Sequence, residues 1–210
     1  MIALGISGSP RANGNTQIAV SLALSQIGKA GIDTQLVSLA GKTIKPCTAC
    51  MACRKKIECS IDDDDFWPIF ERILEADGLI LGSPVYFGSA TPQLMALLDR
   101  AGYIARNNGS LLRHKVGGPI AVARRAGQNF TYAQLMLFYG LNEMIVVGST
   151  YWNIGFGKAP GDINGDAEAL ETLRNFGKNM AWVLKKLKGE SGTQTGPCQA
   201  GSISIHGRNS

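Results

Sequence analysis

Histidine is scarce in this chain: 210 residues hold only His114 and His206, each isolated, so acid–base catalysis centred on histidine has no candidate. Long apolar runs are missing as well. Gly, Pro or a charge interrupts each run before the ~20 residues of a membrane-spanning helix, which excludes a helical anchor. No internal repeat is evident. The net charge is only +5 and comes without an arginine-rich stripe, so nucleic acid is not the expected partner. Two nucleotide-binding patterns also fail on residues. A Walker loop needs Gly-Lys-Ser/Thr where Gly14 is followed by Asn15, and Gly5, Gly8 and Gly14 lack the spacing of G-x-G-x-x-G. The opening Met-Ile-Ala-Leu-Gly has no basic n-region or cleavage site and reads as a core strand, so a cytoplasmic chain without disulfides is expected.

What remains is ordinary for an α/β protein, with 45% hydrophobic and 18% charged residues. Short apolar runs at 2–6, 34–39, 78–81, 119–123 and 144–147 are near-continuous, as strands buried on both faces should be. Helical stretches alternate with them. In the last one Leu170, Leu173, Phe176, Met180, Val183, Leu184 and Leu187 share a face, acids lead and lysines trail. Strand–helix units in series predict a doubly wound, five-stranded parallel sheet with helices on both faces, here over residues 1–189. Residues 190–210 turn to Ser, Gly, Thr, Gln and Asn and are expected to form a flexible or docking tail.

Against this plain background the cysteines stand out. Cys47, Cys50, Cys53 and Cys59 fall within thirteen residues, in a loop at 46–60 between the second strand and second helix. Three thiolates two residues apart, followed by a fourth, can converge on a compact inorganic core as in the bacterial iron–sulfur pattern, whereas structural zinc usually takes two separated pairs. Zinc, a redox thiol pair or chance packing are the alternatives. Arg54, Lys55 and Lys56 lie where they would offset a cluster's charge. Cys198 stands alone in the tail. The acid run 62–65 is expected to cap the second helix.

Three loops leave the carboxyl ends of strands. The first is Ser7-Gly-Ser-Pro-Arg-Ala-Asn-Gly-Asn-Thr16, where helix amides, the hydroxyls of Ser7, Ser9 and Thr16, and the side chains of Arg11 and Asn15 would make a small anion site. A strand-to-helix turn capped by Asn15 or Thr16 is the plain alternative. The second, Gly82-Ser-Pro-Val-Tyr-Phe-Gly88, offers flat apolar surface from Tyr86 and Phe87 and amides from Val85 to Gly88 for the polar edge of a flavin ring. The third carries Arg124 and Arg125, either of which could neutralise a reduced flavin or hold a pyridine-nucleotide phosphate. In a flavodoxin-type strand order, 2-1-3-4-5, the first two loops meet where FMN binds.

Taken together, Gly-Ser-Pro-Arg-x-x-Gly-Asn-Thr, the Cys-x2-Cys-x2-Cys-x5-Cys run, the segment 76–88 and Leu98-Asp-Arg100 resemble the iron–sulfur flavoprotein family, a branch of the flavodoxin-like NAD(P)H-dependent FMN reductases. The resemblance spans about residues 2–147. It implies FMN on the first loop, with Ser9, Arg11, Asn15 and Thr16 at its phosphate and Pro84, Val85, Tyr86, Phe87 and Gly88 along ribityl and ring. It also implies a [4Fe-4S] cluster on the four cysteines and a homodimer or homotetramer in which a cluster approaches a neighbour's flavin. The expected function is transfer of electrons between flavin and cluster, linked to NAD(P)H or a ferredoxin-like partner. A cluster-free FMN, quinone or nitro-compound reductase and a non-enzymatic electron carrier are the rivals.

Overall fold

The computed structural model describes residues 1–189, so the expected tail, Cys198 and His206 lie outside the described residues. Three strands, β1 (Ile2–Ser7), β3 (Gly78–Pro84) and β4 (Val116–Ala123), form the buried centre of one parallel sheet, and β2 (Asp33–Ser38) closes an edge with polar Asp33 and Thr34 exposed. The order is β2-β1-β3-β4-β5, as expected, with β5 at Ile145–Val146.

The fifth position in the sheet is broken in two. β5 pairs with Val116 and Gly117 at the start of β4, while a further strand, β6 (Ile154–Phe156), pairs with Ala121–Ala123 at its end. The break falls at Pro119, which has no N–H to give the ladder on that side. Its carbonyl instead accepts from the Asn153 side chain at 3.2 Å, and the ladder resumes where Ala121 N–H donates to the Asn153 carbonyl at 3.0 Å. The sequence pattern at 144–147 shows only the first piece.

Helices cover both faces. On one lie α1 (Asn15–Lys29) and α5 (Ala167–Gly189), and on the other α2 (Phe66–Glu75), α3 (Pro92–Asn107) and α4 (Gln128–Leu141). Helix α5 buries Leu173, Phe176, Met180 and Leu184 as its pattern predicts; Leu187, expected on the same face, is exposed in the last turn. A Cβ on Gly82 would come within 2.4 Å of Val20 and 3.2 Å of Thr16, so the first turns of α1 rest directly on the end of β3. That contact places the start of α1 beside the second loop.

Candidate functional site

The carboxyl ends of β1, β3 and β4 are pinned together. Gly8 N–H donates to the Gly82 carbonyl at 2.7 Å, the Thr91 hydroxyl to the Gly8 carbonyl at 2.7 Å, and Val85 N–H to the Val122 carbonyl at 2.9 Å. Between them opens a cavity of about 340 Å³ whose walls include Ser9, Arg11, Asn15, Thr16, Pro84, Val85, Tyr86 and Arg124. Three of the wall residues are cations and none is a carboxylate, so the cavity suits an anionic ligand. Helix α1 starts from Gly14 with no side chain capping it, neither Asn15 nor Thr16, which leaves first-turn amides for such a ligand.

The sequence-predicted residues divide at this cavity. Ser7, Phe87 and Gly88 do not line it. Ser7 is buried at the end of β1, and its hydroxyl has no partner among the described residues. Phe87 and Gly88 form the two inner positions of a tight turn, at φ 52° and 81°, closed by reciprocal bonds of 2.8 and 3.0 Å between Tyr86 and Ser89. The left-handed turn throws the Phe87 ring fully into solvent rather than over the sheet's end. Arg124 and Arg125 are both exposed, and of the two Arg124 alone reaches the wall.

Asn15 lines the cavity, but its side chain is committed elsewhere. Its Nδ2 donates to the Ala159 carbonyl at 2.8 Å, and its Oδ1 accepts from Gly161 and Ile163 N–H at 2.8 and 3.3 Å. Asn15 thus braces the segment after β6, which brings Gly157, Lys158 and Pro160 to the wall. Asp162 folds the same segment by accepting from Lys158 and Ala159 N–H at 3.0 and 2.7 Å. Sequence reasoning missed this fourth loop; the turn-rich run Gly157-Lys-Ala-Pro-Gly-Asp162 after an apolar triplet was its signal.

A second, smaller cavity of about 20 Å³ is lined by Cys47, Cys50, Cys53 and Cys59 together with Ser60, Arg100 and Tyr103. All four cysteines thus border one small cavity. The loop has little regular structure beyond a single 3₁₀ turn at Ala52–Arg54, and Ala49 and Met51 sit at φ 54° and 63°. Cys53 and Cys59 are half-buried against the core, and Cys47 and Cys50 are exposed. Burial raises the Cys53 thiol, whereas the Ser60 hydroxyl, 3.0 Å from Cys50 Sγ, lowers that thiol. Among the described residues no three Cys, His, Asp or Glu side chains gather round a single ion's position. Four thiolates are by their chemistry a donor set that a multi-iron core takes. Of the neighbouring cations, Lys56 is spent on Glu58 at 2.6 Å.

The acid run caps α2 only through Asp64, which accepts the first helical amide, Phe66 N–H, at 3.1 Å. Asp65 stands at the cap position, yet its carboxylate binds Thr43 N–H at 2.8 Å and Lys42 at 2.9 Å; Asp64 takes the Lys45 and Phe66 amides and the Arg100 guanidinium. These acids fasten the segment before the cysteines to the segment after them.

A doubly wound parallel sheet in the order 2-1-3-4-5, with a cation-walled cavity at its switch point, defines a flavodoxin-like protein. The profile of the NADPH-dependent FMN reductase family matches residues 1–159. An iron–sulfur flavoprotein of Methanocaldococcus jannaschii is 46% identical over 195 residues, which covers 90% of this chain and 100% of the relative. The chain belongs to the NADPH-dependent FMN reductase family and, within it, to the iron–sulfur flavoproteins, and it is an FMN-dependent redox protein. Solved structures agree on the fold. RosB with bound 8-demethyl-8-formylriboflavin-5'-phosphate superimposes with a TM-score of 0.70 at 19% identity over 90% of this chain and 81% of that one. A flavodoxin from the domain Archaea gives 0.58 at 14% identity over 88% and 99%. No helix among the described residues is long and apolar enough to cross a membrane.

Proposed function

We propose that the chain is a reductase holding FMN in the cavity at the ends of β1, β3 and β4 and a [4Fe-4S] cluster on Cys47, Cys50, Cys53 and Cys59, joining a hydride donor such as NAD(P)H to one-electron acceptors. The observation that carries this reading is the pairing of a cation-walled cavity without carboxylates with a pocket faced by all four cysteines. FMN held there would supply two-electron hydride acceptance and one-electron release, and a cluster on the cysteines would supply one-electron chemistry.

The chain's own residues supply placement and charge. Ser9, Arg11 and Thr16, with the first amides of α1, would hold the phosphate, and Lys158 adds a cation from the fourth loop. Asn15 acts by bracing that loop rather than by touching the phosphate. Pro84, Val85 and Tyr86 would flank ribityl and ring, with Phe87 and Gly88 on the turn that follows them, and Arg124 would stabilise negative charge on a reduced ring. Assembly into a homodimer or homotetramer is part of the proposal. It is supported by exposed Phe87, Tyr151 and Trp152 and by a groove of about 790 Å³ between α3 and α4 that reaches Cys47 and contains exposed Leu137 and Leu141.

The test is anaerobic purification with flavin, iron and sulfide analysis and light scattering. One FMN per chain with about four iron and four sulfide, in an even-order oligomer that oxidises NAD(P)H, is expected. Stoichiometric FMN without iron would leave the cluster-free reductase standing, and full cofactors without NAD(P)H turnover would leave the carrier.

A further inference from the structure

Arg100 is the largest fully buried side chain among the described residues, at 1% exposure, in the middle of α3. A buried guanidinium survives only where its charge and its donors are met. Asp64, whose side chain is fully buried, meets the charge. The Phe66 ring lies 4.0 Å from the guanidinium carbon and covers its face. The remaining donors go to two backbone carbonyls: Nη1 to Lys45 at 3.3 Å, besides Asp64, and Nη2 to Ile61 at 2.7 Å.

Those carbonyls are informative by position. Lys45 lies two residues before Cys47 and Ile61 two residues after Cys59, so one planar fork holds both stems of the cysteine loop. Asp64 tightens the same knot by accepting the Lys45 N–H at 2.8 Å. Arg100 also lines the cavity that the four cysteines face, and its buried Nε has no hydrogen-bond partner among the described residues.

We propose that Arg100 is the positioning residue of the cysteine loop: its fork fixes the spacing of the two stems that carry the four thiols. What the thiols bind rests on the cluster reading above; the fixing of the stems does not. Lysine cannot substitute, because a point charge on a flexible stem lacks the fixed geometry that reaches Asp64 and both carbonyls at once.

The experiment compares the parent with Arg100→Lys and with the double variant Arg100→Met/Asp64→Leu, which removes the ion pair without stranding a charge. FMN content reports the integrity of the sheet and the first loop. Iron per chain is measured after anaerobic reconstitution. In metal-free protein, the alkylation rates of Cys53 and Cys59 are followed by mass spectrometry. Both variants should keep FMN, retain roughly tenfold less iron, and expose their half-buried thiols to alkylation roughly tenfold faster. Parent-like iron or parent-like alkylation in either variant would overturn the proposal. So would loss of FMN together with iron, since Arg100 would then hold the whole sheet rather than the loop. A parent that never takes up iron would sink the cluster reading alone, because the alkylation arm uses metal-free protein and still decides on Arg100.

Discussion

The two cavities are built by opposite means. The larger one is made by the sheet itself: strand ends, the first turn of α1 and pinned loops place its wall, and those loops are held by backbone bonds between strand ends such as Gly8 to Gly82 at 2.7 Å. The cysteine pocket lies in a loop with one 3₁₀ turn, and its order is imposed from outside by a helix side chain and a buried acid. A site made by regular structure should tolerate loss of a single side chain; a site held by one knot should fail as a unit.

The sharpest contrast is all-or-none. Cys59→Ala should abolish stable iron binding while FMN stays bound, and Cys198→Ala should leave both, as iron per chain under strict anaerobiosis will show. Parent-like iron in Cys59→Ala would dissolve the distinction between the sites.

Next in size is the knot. Burial by itself raises the Asp64 carboxyl, but the Arg100 guanidinium and the amides of Lys45 and Phe66 outweigh it and hold the group below its usual range. Because the folded value is the lower one, the stability it contributes is complete above the unfolded value of about pH 4 and is lost as pH falls below that. Asp64→Asn should cost about 3 kcal/mol at neutral pH, by urea unfolding of metal-free protein, and should flatten the fall in stability below pH 4.

A smaller effect is expected in the larger cavity. Arg11→Ala should weaken FMN binding by roughly 1.5–3 kcal/mol in a fluorescence titration, with iron content unchanged. Unchanged affinity would remove Arg11 from the phosphate site. Smallest is Lys158→Met, at under about 1 kcal/mol and fading with added salt, because that side chain is exposed.

The sheet was legible because its signal is local. Continuous apolar runs, the glycine-rich turn and the cysteine spacing are each contained in a few neighbouring residues, and all of them recur in the structure. What escaped prediction depends on partners far apart in the chain. Nothing near Pro119 announces β6, since the missing N–H matters only once Asn153 arrives to meet its carbonyl. Asn15 reads as a phosphate ligand or a cap until residues 159–163 are beside it. The acid run reads as a helix cap until Arg100 is seen from the other side of the loop. Phe87 reads as a ring cover until its left-handed φ turns it outward. In each case a side chain of plain local meaning is redirected by a contact of long sequence separation.

Asn15 has a consequence for the order in which the protein can be made. Its three bonds reach 144 to 148 residues along the chain, so the turn at the start of α1 leaves the ribosome long before the segment that completes its cavity. A nascent chain that stops short of Gly157 carries the first three loops without Lys158 or the loop that Asn15 braces. The larger cavity therefore closes only after residues 157–163 are made, whereas Cys47, Cys50, Cys53, Cys59, Asp64 and Arg100 all precede them in the chain. Of the two sites the cysteine loop can order first, and the cavity formed by the sheet is the later to close.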